Sequence, residues 1–197
     1  MNVIQPWKIE IAIVNMVDYT PLVPTAPDNA ALLEEIHALH CLTHDDDEVP
    51  LEITRELSPL VVDFREKFVA PKVIEFMRDC MGFEVTSPAR IDTFAKWFKP
   101  GQDLGAHLHG GTHITTVYYP ADSEAALMIF DPRFNASRGY PQQVRDKHFA
   151  PYVFHPRAGD LVIMPSYLMH GVKVVQEEMR LSLVNDFFFH CGGRQDA

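Results

Sequence analysis

The sequence predicts a mainly β fold, a double-stranded β-helix or jelly roll, with supporting helices in its N-terminal half. Three observations lead to this prediction. Residues 90–190 contain many short apolar or alternating runs, turn signals rich in proline and glycine separate most of them, and no helical periodicity interleaves them. Many short strands without intervening helices favour a sandwich or barrel over a parallel α/β sheet.

The N-terminal elements are a strand and a helix. Within Met1–Val17, Ile9, Ile11 and Ile13 alternate with other residues, which is typical of a strand and not of a signal peptide. Over Ala30–His40 the leucines and the isoleucine recur at helical spacing, so this segment is predicted to be a helix. Asp28 or Asn29 is expected to cap it.

A second helix is predicted to begin at Ser58-Pro59, because proline suits the first helical turn. Pro71 is expected to break or restart this helix, and the helical pattern then continues toward Gly82. Residues 1–89 are therefore predicted to form an N-terminal strand with supporting helices.

The β core is predicted to span residues 90–190 within a single domain of residues 1–197. The predicted strands are Arg90–Phe98, His107–His109, Ile114–Tyr119, Ala126–Asp131, Tyr152–His155, Asp160–Met164 and Met179–Phe189. Turns containing Pro, Gly or Asn separate most of these strands.

Composition excludes several classes of function. The 197 residues are 47% hydrophobic, which is enough for one domain with a sizeable core, and no apolar run is long enough to span a bilayer. The net charge of −10 argues against nucleic-acid or anionic-membrane partners. Cys41, Cys80 and Cys191 are odd in number and widely spaced, which favours free thiols in a reducing compartment and predicts a cytoplasmic protein.

Three histidines form the strongest candidate site. His107 and His109 are two residues apart, so on a strand they point to the same face, and His170 can add a third ligand from a distant strand. Three protein ligands leave coordination positions open, as a catalytic metal requires. His113 is a rival second ligand, but Gly110-Gly111 makes a tight turn between it and His109.

Arg180 provides a fixed positive charge that suits a carboxylate co-substrate beside this metal. Strand alternation places Ser182 on the same face, and Tyr119, at the end of its strand, can add a phenol hydrogen bond. The alternative for Arg180 is a surface ion pair with Glu177 or Glu178.

Three segments of the chain resemble a known family. They are Gly101–His109, Gly159–His170 and Arg180–Asn185, supported by Thr115–Tyr119 and Asp131–Arg133. In order and spacing they resemble a bacterial and phage group of cupin-like Fe(II)- and 2-oxoglutarate-dependent oxygenases, over roughly residues 90 to 190.

The resemblance implies an enzyme that uses Fe(II), 2-oxoglutarate and O₂ to hydroxylate or otherwise oxidise a C–H bond. His107, His109 and His170 would hold the metal, and Arg180, Ser182 and Tyr119 would hold 2-oxoglutarate. No residue beyond the metal centre is assigned a catalytic role, and the substrate, a small molecule or a peptide, is not identified.

One departure from the family pattern leaves alternatives open. His109 stands where most such oxygenases have a carboxylate, which raises the net charge of the metal site. The first alternative is therefore a three-histidine cupin-type enzyme, a dioxygenase or isomerase that does not need 2-oxoglutarate. The second is a jelly-roll binding module without catalysis.

Weaker candidates complete the prediction. Trp97, Arg133 and Asn185 are candidate substrate contacts, against the alternatives of core packing, a turn or a structural ion pair. An exposed edge strand near Phe187–Phe189 would favour a homodimer.

Overall fold

Two antiparallel sheets form the molecule in the computed structural model, which describes residues 9–16, 29–40, 51–53, 58–177 and 179–190. The strands are β1 (Ala12–Asn15), β2 (Leu51–Ile53), β3 (Arg90–Phe98), β4 (Leu104–His107), β5 (Ile114–Tyr118), β6 (Leu127–Ile129), β7 (Tyr152–Phe154), β8 (Asp160–Pro165), β9 (His170–Val172) and β10 (Arg180–Phe188). The large sheet has the order β1-β8-β5-β10-β3-β2, and the small sheet has the order β4-β9-β6-β7. This arrangement confirms the predicted mainly β, jelly-roll fold.

Most predicted strands are found near their predicted bounds, and β3 has the predicted ends. The prediction of a strand at His107–His109 is wrong in its bounds, because β4 ends at His107. Strand β9 was not predicted. It has three residues, and a Cβ at its central Gly171 would lie 2.7 Å from the carbonyl oxygen of Leu104, so only glycine allows β4 and β9 to approach this closely.

The helices are α1 (Asn29–His40), α2 (Pro59–Phe64), α3 (Ala70–Asp79) and α4 (Gln142–His148), of which α4 was not predicted. Ser58 caps α2, since its side chain accepts a hydrogen bond from the backbone N–H of Val61 at 3.3 Å.

The interruption expected at Pro71 takes the form of a π-helical turn, Arg65–Val69, that joins α2 to α3. In this turn the backbone N–H of Ala70 donates to the carbonyl of Arg65, five residues back. Pro71 then lies in the first turn of α3 and, because it has no N–H, cannot donate to a carbonyl of the preceding π-helical turn.

Strand β10 separates two cores. Its residues Leu181, Leu183 and Phe187 pack against the helices, in a cluster that includes Val61 and Phe76. Val184 points the other way and packs between the two sheets. Alternation therefore divides β10 into two faces, which we call the helix face (Leu181, Leu183, Asn185, Phe187) and the inner face (Arg180, Ser182, Val184, Asp186, Phe188).

The position of β10 corrects the expectation of an exposed edge near Phe187–Phe189. Strand β10 lies between β5 and β3, so both of its edges are already paired. Phe187 and Phe189 are buried, and the Arg90 guanidinium lies 3.7 Å from the ring centre of Phe188. A homodimer therefore remains a prediction, and this strand does not support it.

The N-terminal segment contributes both edges of the large sheet, because β1 pairs with β8 and β2 pairs with β3. The cap predicted at Asp28 lies outside the described residues. None of the helices in the described ranges is long and apolar enough to cross a membrane.

Candidate metal centre and co-substrate cavity

The three predicted histidines meet at one end of the small sheet. His107 ends β4 and is paired in register with His170, the first residue of β9. His109 lies just beyond β4, where its backbone N–H donates to the carbonyl of Ser166 at 3.1 Å. One potential ligand atom from each ring lies within 4.8 Å of the others, so a single metal ion can be bound by all three.

Hydrogen bonds assign the same tautomer to each ring. Nδ1 of His107 lies 3.0 Å from the carbonyl oxygen of Gly105, and Nδ1 of His170 lies 2.9 Å from that of Leu168. Nδ1 of His109 lies 2.8 Å from a carboxylate oxygen of Asp186. Carbonyl and carboxylate oxygens only accept, so each Nδ1 carries the proton. Each Nε2 therefore keeps its lone pair for a metal.

Burial keeps two of these imidazoles neutral. Loss of hydration lowers the pKa of His170 to about 4 and also holds the pKa of His107 below its ordinary value. At neutral pH both rings are unprotonated, which is the state that binds a metal.

His113 is not part of this cluster. Its side chain is on the exposed side of the turn, and its Nδ1 lies 3.2 Å from the backbone N–H of Phe189, from which it accepts. Of the two candidate ligands, His109 and not His113 lies with His107 and His170.

Arg180 is buried at the inner face of β10, with only 1% of its surface exposed. Its Nη2 donates to the phenol oxygen of Tyr119 at 3.3 Å, and its guanidinium lies 4.9 Å from the ring centre of Phe98. Its Nε and Nη1 have no hydrogen-bond partner. A surface ion pair with Glu177 is excluded, because Arg180 is buried and Glu177 instead accepts from Ser123 at 2.7 Å; Glu178 lies outside the described residues.

A narrow cavity of about 30 Å³ joins Arg180 to the histidines between the two sheets. Ser182 and Tyr119 line it with Arg180, and both are buried. Burial raises the pKa of Tyr119, with the charge of Arg180 acting in the opposite direction, so the phenol keeps its proton. Because the phenol oxygen accepts from Arg180, its own O–H is free to donate to a bound group. Tyr118 points to the helices, where its hydroxyl donates to Asn29.

A second, wider cavity of about 530 Å³ opens to solvent on the other side of His107 and His109. The cavity-facing residues of β3 line it, namely Arg90, Asp92, Phe94 and Lys96. Asp186 and Phe188 from the inner face of β10 complete this wall. The two cavities therefore meet at the candidate metal ligands.

The three weaker candidates lie away from both cavities. Trp97 is paired in register with Leu181, so it faces the helices and lies in their core. Asn185 is on the helix face of β10, fully buried. Arg133 is exposed, bonds to Asp131 and lines neither cavity.

Sequence reasoning missed Asp186, Phe94 and Lys96. The signal was available for Asp186, because it is six residues after Arg180 and therefore on the same face of an extended strand. Phe94 and Lys96 follow from the pairing of β3 with β10, which the sequence does not specify.

Comparison with known proteins agrees with this geometry. A family model described as "Putative 2OG-Fe(II) oxygenase" matches residues 93–186, the segment that contains all three histidines and Arg180. Over these residues the chain is similar to Fe(II)/2-oxoglutarate oxygenases. This match indicates an oxidoreductase that depends on Fe(II) and 2-oxoglutarate. No curated protein sequence matches the chain.

Solved structures show the same fold at low sequence identity. A Pseudomonas putida prolyl-4-hydroxylase has a TM-score of 0.62 and 13% identity, with 92% of this chain and 94% of that one covered. HygX from Streptomyces hygroscopicus, solved with nickel and 2-oxoglutarate, has a TM-score of 0.60 and 14% identity over 93% and 84%. The α-ketoglutarate-dependent epimerase SnoN from nogalamycin biosynthesis has a TM-score of 0.64 and 15% identity over 92% and 79%.

Proposed function

We propose that His107, His109 and His170 hold Fe(II), and that Arg180, Ser182 and Tyr119 hold the distal carboxylate of 2-oxoglutarate. The observation that carries this proposal is the buried guanidinium of Arg180, which has two unpartnered nitrogen atoms and lines the same cavity as the three histidines. A buried charge without a partner costs several kcal/mol, roughly, so a site that keeps one is built for a counter-ion. A carboxylate accepts from a guanidinium in a planar, two-point arrangement.

The donor set fits the metal. Imidazole nitrogen suits Fe(II), and three imidazoles leave positions for the co-substrate and O₂. When bound, iron with 2-oxoglutarate and O₂ supplies the oxidising power for a C–H bond of the substrate, with succinate and CO₂ as co-products.

The side chains of the cavity have separate tasks. The fixed tautomers aim three Nε2 atoms at the metal before it arrives, so little reorganisation is needed. Arg180 orients the far end of the co-substrate, and Tyr119 can donate to the same carboxylate. The cavity has room for about one water molecule as it stands, so the co-substrate has to part the side chains that line it.

The wider cavity is the proposed substrate site, because it reaches His107 and His109 from the solvent side. Its volume of about 530 Å³ suits a small molecule or a short peptide side chain with its flanking backbone. Hydroxylation as the outcome, a cytoplasmic location, and the absence of nucleic-acid and membrane partners remain predictions from the sequence.

The test is an anaerobic titration of the Fe(II)-loaded protein with 2-oxoglutarate, followed by the metal-to-ligand charge-transfer band. The band should form in the wild type and require at least about tenfold more 2-oxoglutarate in R180Q, since a two-point charged contact is lost. The matched control is R133Q, which removes an exposed arginine outside both cavities and should leave the titration unchanged.

In air, succinate should form only when both iron and 2-oxoglutarate are present. An R180Q titration equal to that of the wild type would contradict the role of Arg180. Metal binding with no band at any 2-oxoglutarate concentration would instead favour a three-histidine enzyme that works without 2-oxoglutarate. That second candidate is supported by the all-imidazole donor set itself.

A further inference from the structure

We propose that Asp186 is a positioning residue of the metal centre, which holds the His109 ring and places one negative charge directly behind it. This inference rests on the proposed metal centre and goes beyond it, because Asp186 itself is not a ligand in that centre. Strand β10 would then contribute to both parts of the site, with Arg180 binding the co-substrate and Asp186 orienting a metal ligand.

The contact between the two side chains is close and partly buried. Both carboxylate oxygens of Asp186 lie near Nδ1 of His109, at 2.9 and 2.8 Å. The side chains are only 12% and 13% exposed, so water screens the contact weakly. An acceptor on both sides of the N–H holds the ring plane as well as its tautomer.

A network of hydroxyl groups fixes Asp186 in turn. The Thr115 hydroxyl lies 2.7 Å from one carboxylate oxygen and 3.0 Å from the Ser166 hydroxyl. Since the carboxylate only accepts, Thr115 donates to it and Ser166 donates to Thr115. The carbonyl of Ser166 also accepts from the backbone N–H of His109 at 3.1 Å, so the network closes on the residue that it orients.

His109 differs in this respect from the other two ligands. His107 and His170 each donate from Nδ1 to a neutral backbone carbonyl two residues earlier in the chain. Only the Nδ1 of His109 has a charged acceptor among the three. A carboxylate behind an imidazole makes Nε2 more basic and strengthens its bond to a metal.

The charges of the loaded site show why one carboxylate is needed there. Fe(II) brings two positive charges and Arg180 one, whereas 2-oxoglutarate brings two negative charges. Asp186 supplies the remaining negative charge, so these four groups together are neutral, and Lys96, half-buried in the wall of both cavities, adds a further positive charge. Without Asp186 the buried groups would carry a net positive charge, which is costly at low dielectric.

The test uses two substitutions of Asp186 and one matched control. D186N keeps the shape and an oxygen that can accept from Nδ1, so it removes the charge alone. D186L removes both the charge and the acceptor. D160N makes the same change at another buried carboxylate, which bonds to Asn15 at 2.8 Å far from the histidines.

Affinity for Fe(II), measured by anaerobic calorimetry, should fall about tenfold in D186N and about 100-fold in D186L, and stay unchanged in D160N. The charge-transfer band with 2-oxoglutarate should move to shorter wavelength in D186N, because a less basic His109 gives less electron density to the metal. A purely structural role of Asp186 would not move this band, whatever its effect on unfolding.

The outcomes distinguish an incorrect role for Asp186 from an incorrect metal centre. If the wild type binds Fe(II) and forms the band, and D186N and D186L match it in affinity and wavelength, the role of Asp186 is refuted and the proposed centre stands. If the wild type has no affinity for Fe(II), both proposals are refuted. If D186L does not fold, the D186N wavelength and affinity decide.

Discussion

The two faces of β10 carry buried polar residues that differ in whether their polar atoms have hydrogen-bond partners. On the helix face, Asn185 is satisfied, since its carbonyl oxygen accepts from Thr93 at 2.8 Å and its amide donates to Thr116 at 3.2 Å. On the inner face, Arg180 keeps two nitrogen atoms, Nε and Nη1, without a hydrogen-bond partner. A buried polar group that has its partners is part of the structure, whereas one without them indicates that a ligand completes the site.

The largest effect is expected from removing one of the proposed histidine ligands, which line the narrow cavity with Arg180. H170A should weaken Fe(II) binding by more than about 100-fold, which exceeds what is usual for residues that only support a ligand. The measurement is an anaerobic metal titration of the chelator-treated protein. H113A is the control, because His113 lies outside the cluster and should bind metal as the wild type does. Equal losses of Fe(II) affinity in H170A and H113A would contradict the assignment of His170 to the metal site.

The second prediction concerns pH and the metal-free protein. The folded state holds the pKa of His170 at about 4, whereas an unfolded histidine titrates near 6.5, so acid favours the unfolded chain. Stability should therefore be full above about pH 6.5 and fall as the pH drops toward 4, by roughly 3 kcal/mol from this group.

The measurement is denaturant unfolding in the presence of a chelator across this pH range. H170Q removes the titrating group and should flatten the corresponding part of the curve. The same slope in H170Q and in the wild type would show that His170 is not the cause.

The third prediction concerns the helix face. N185L should lower the free energy of unfolding by about 2 kcal/mol, because the Thr93 and Thr116 hydroxyls lose their buried partner. The 2-oxoglutarate titration should not change, since Asn185 does not reach either cavity. A weaker titration with unchanged unfolding would place Asn185 in the site after all.

The sequence predicts the parts of this site that depend on residue type and local signals. The bounds of β3 follow from Ser87-Pro88 before it and Pro100-Gly101 after it, both strong turn signals. His107, His109, His170 and Arg180 could be chosen because the His-x-His pair comes directly before Gly110-Gly111 at a strand end, and because the arginine follows the third histidine by ten residues on a predicted strand.

Features that depend on pairing between distant strands could not be predicted in this way. The sequence pattern makes Trp97 and Asn185 candidate substrate contacts although both face the helices, because the register that pairs Trp97 with Leu181 is a tertiary property. The role of Asp186 depends on the turn that brings His109 to it across 77 residues of chain. Strand β9 is too short to give a periodic pattern, and its Gly171 reads locally as a turn residue.

The most direct test of the contrast between the two faces is R180M, measured for both stability and 2-oxoglutarate binding. Methionine fills much of the same space without the unpaired charge. The free energy of unfolding of the metal-free variant, measured with denaturant, should therefore rise by about 1 kcal/mol or more. The Fe(II)-loaded variant should give no charge-transfer band at concentrations that saturate the wild type. Lower stability together with an unchanged band would show that Arg180 belongs to the structure and not to the co-substrate.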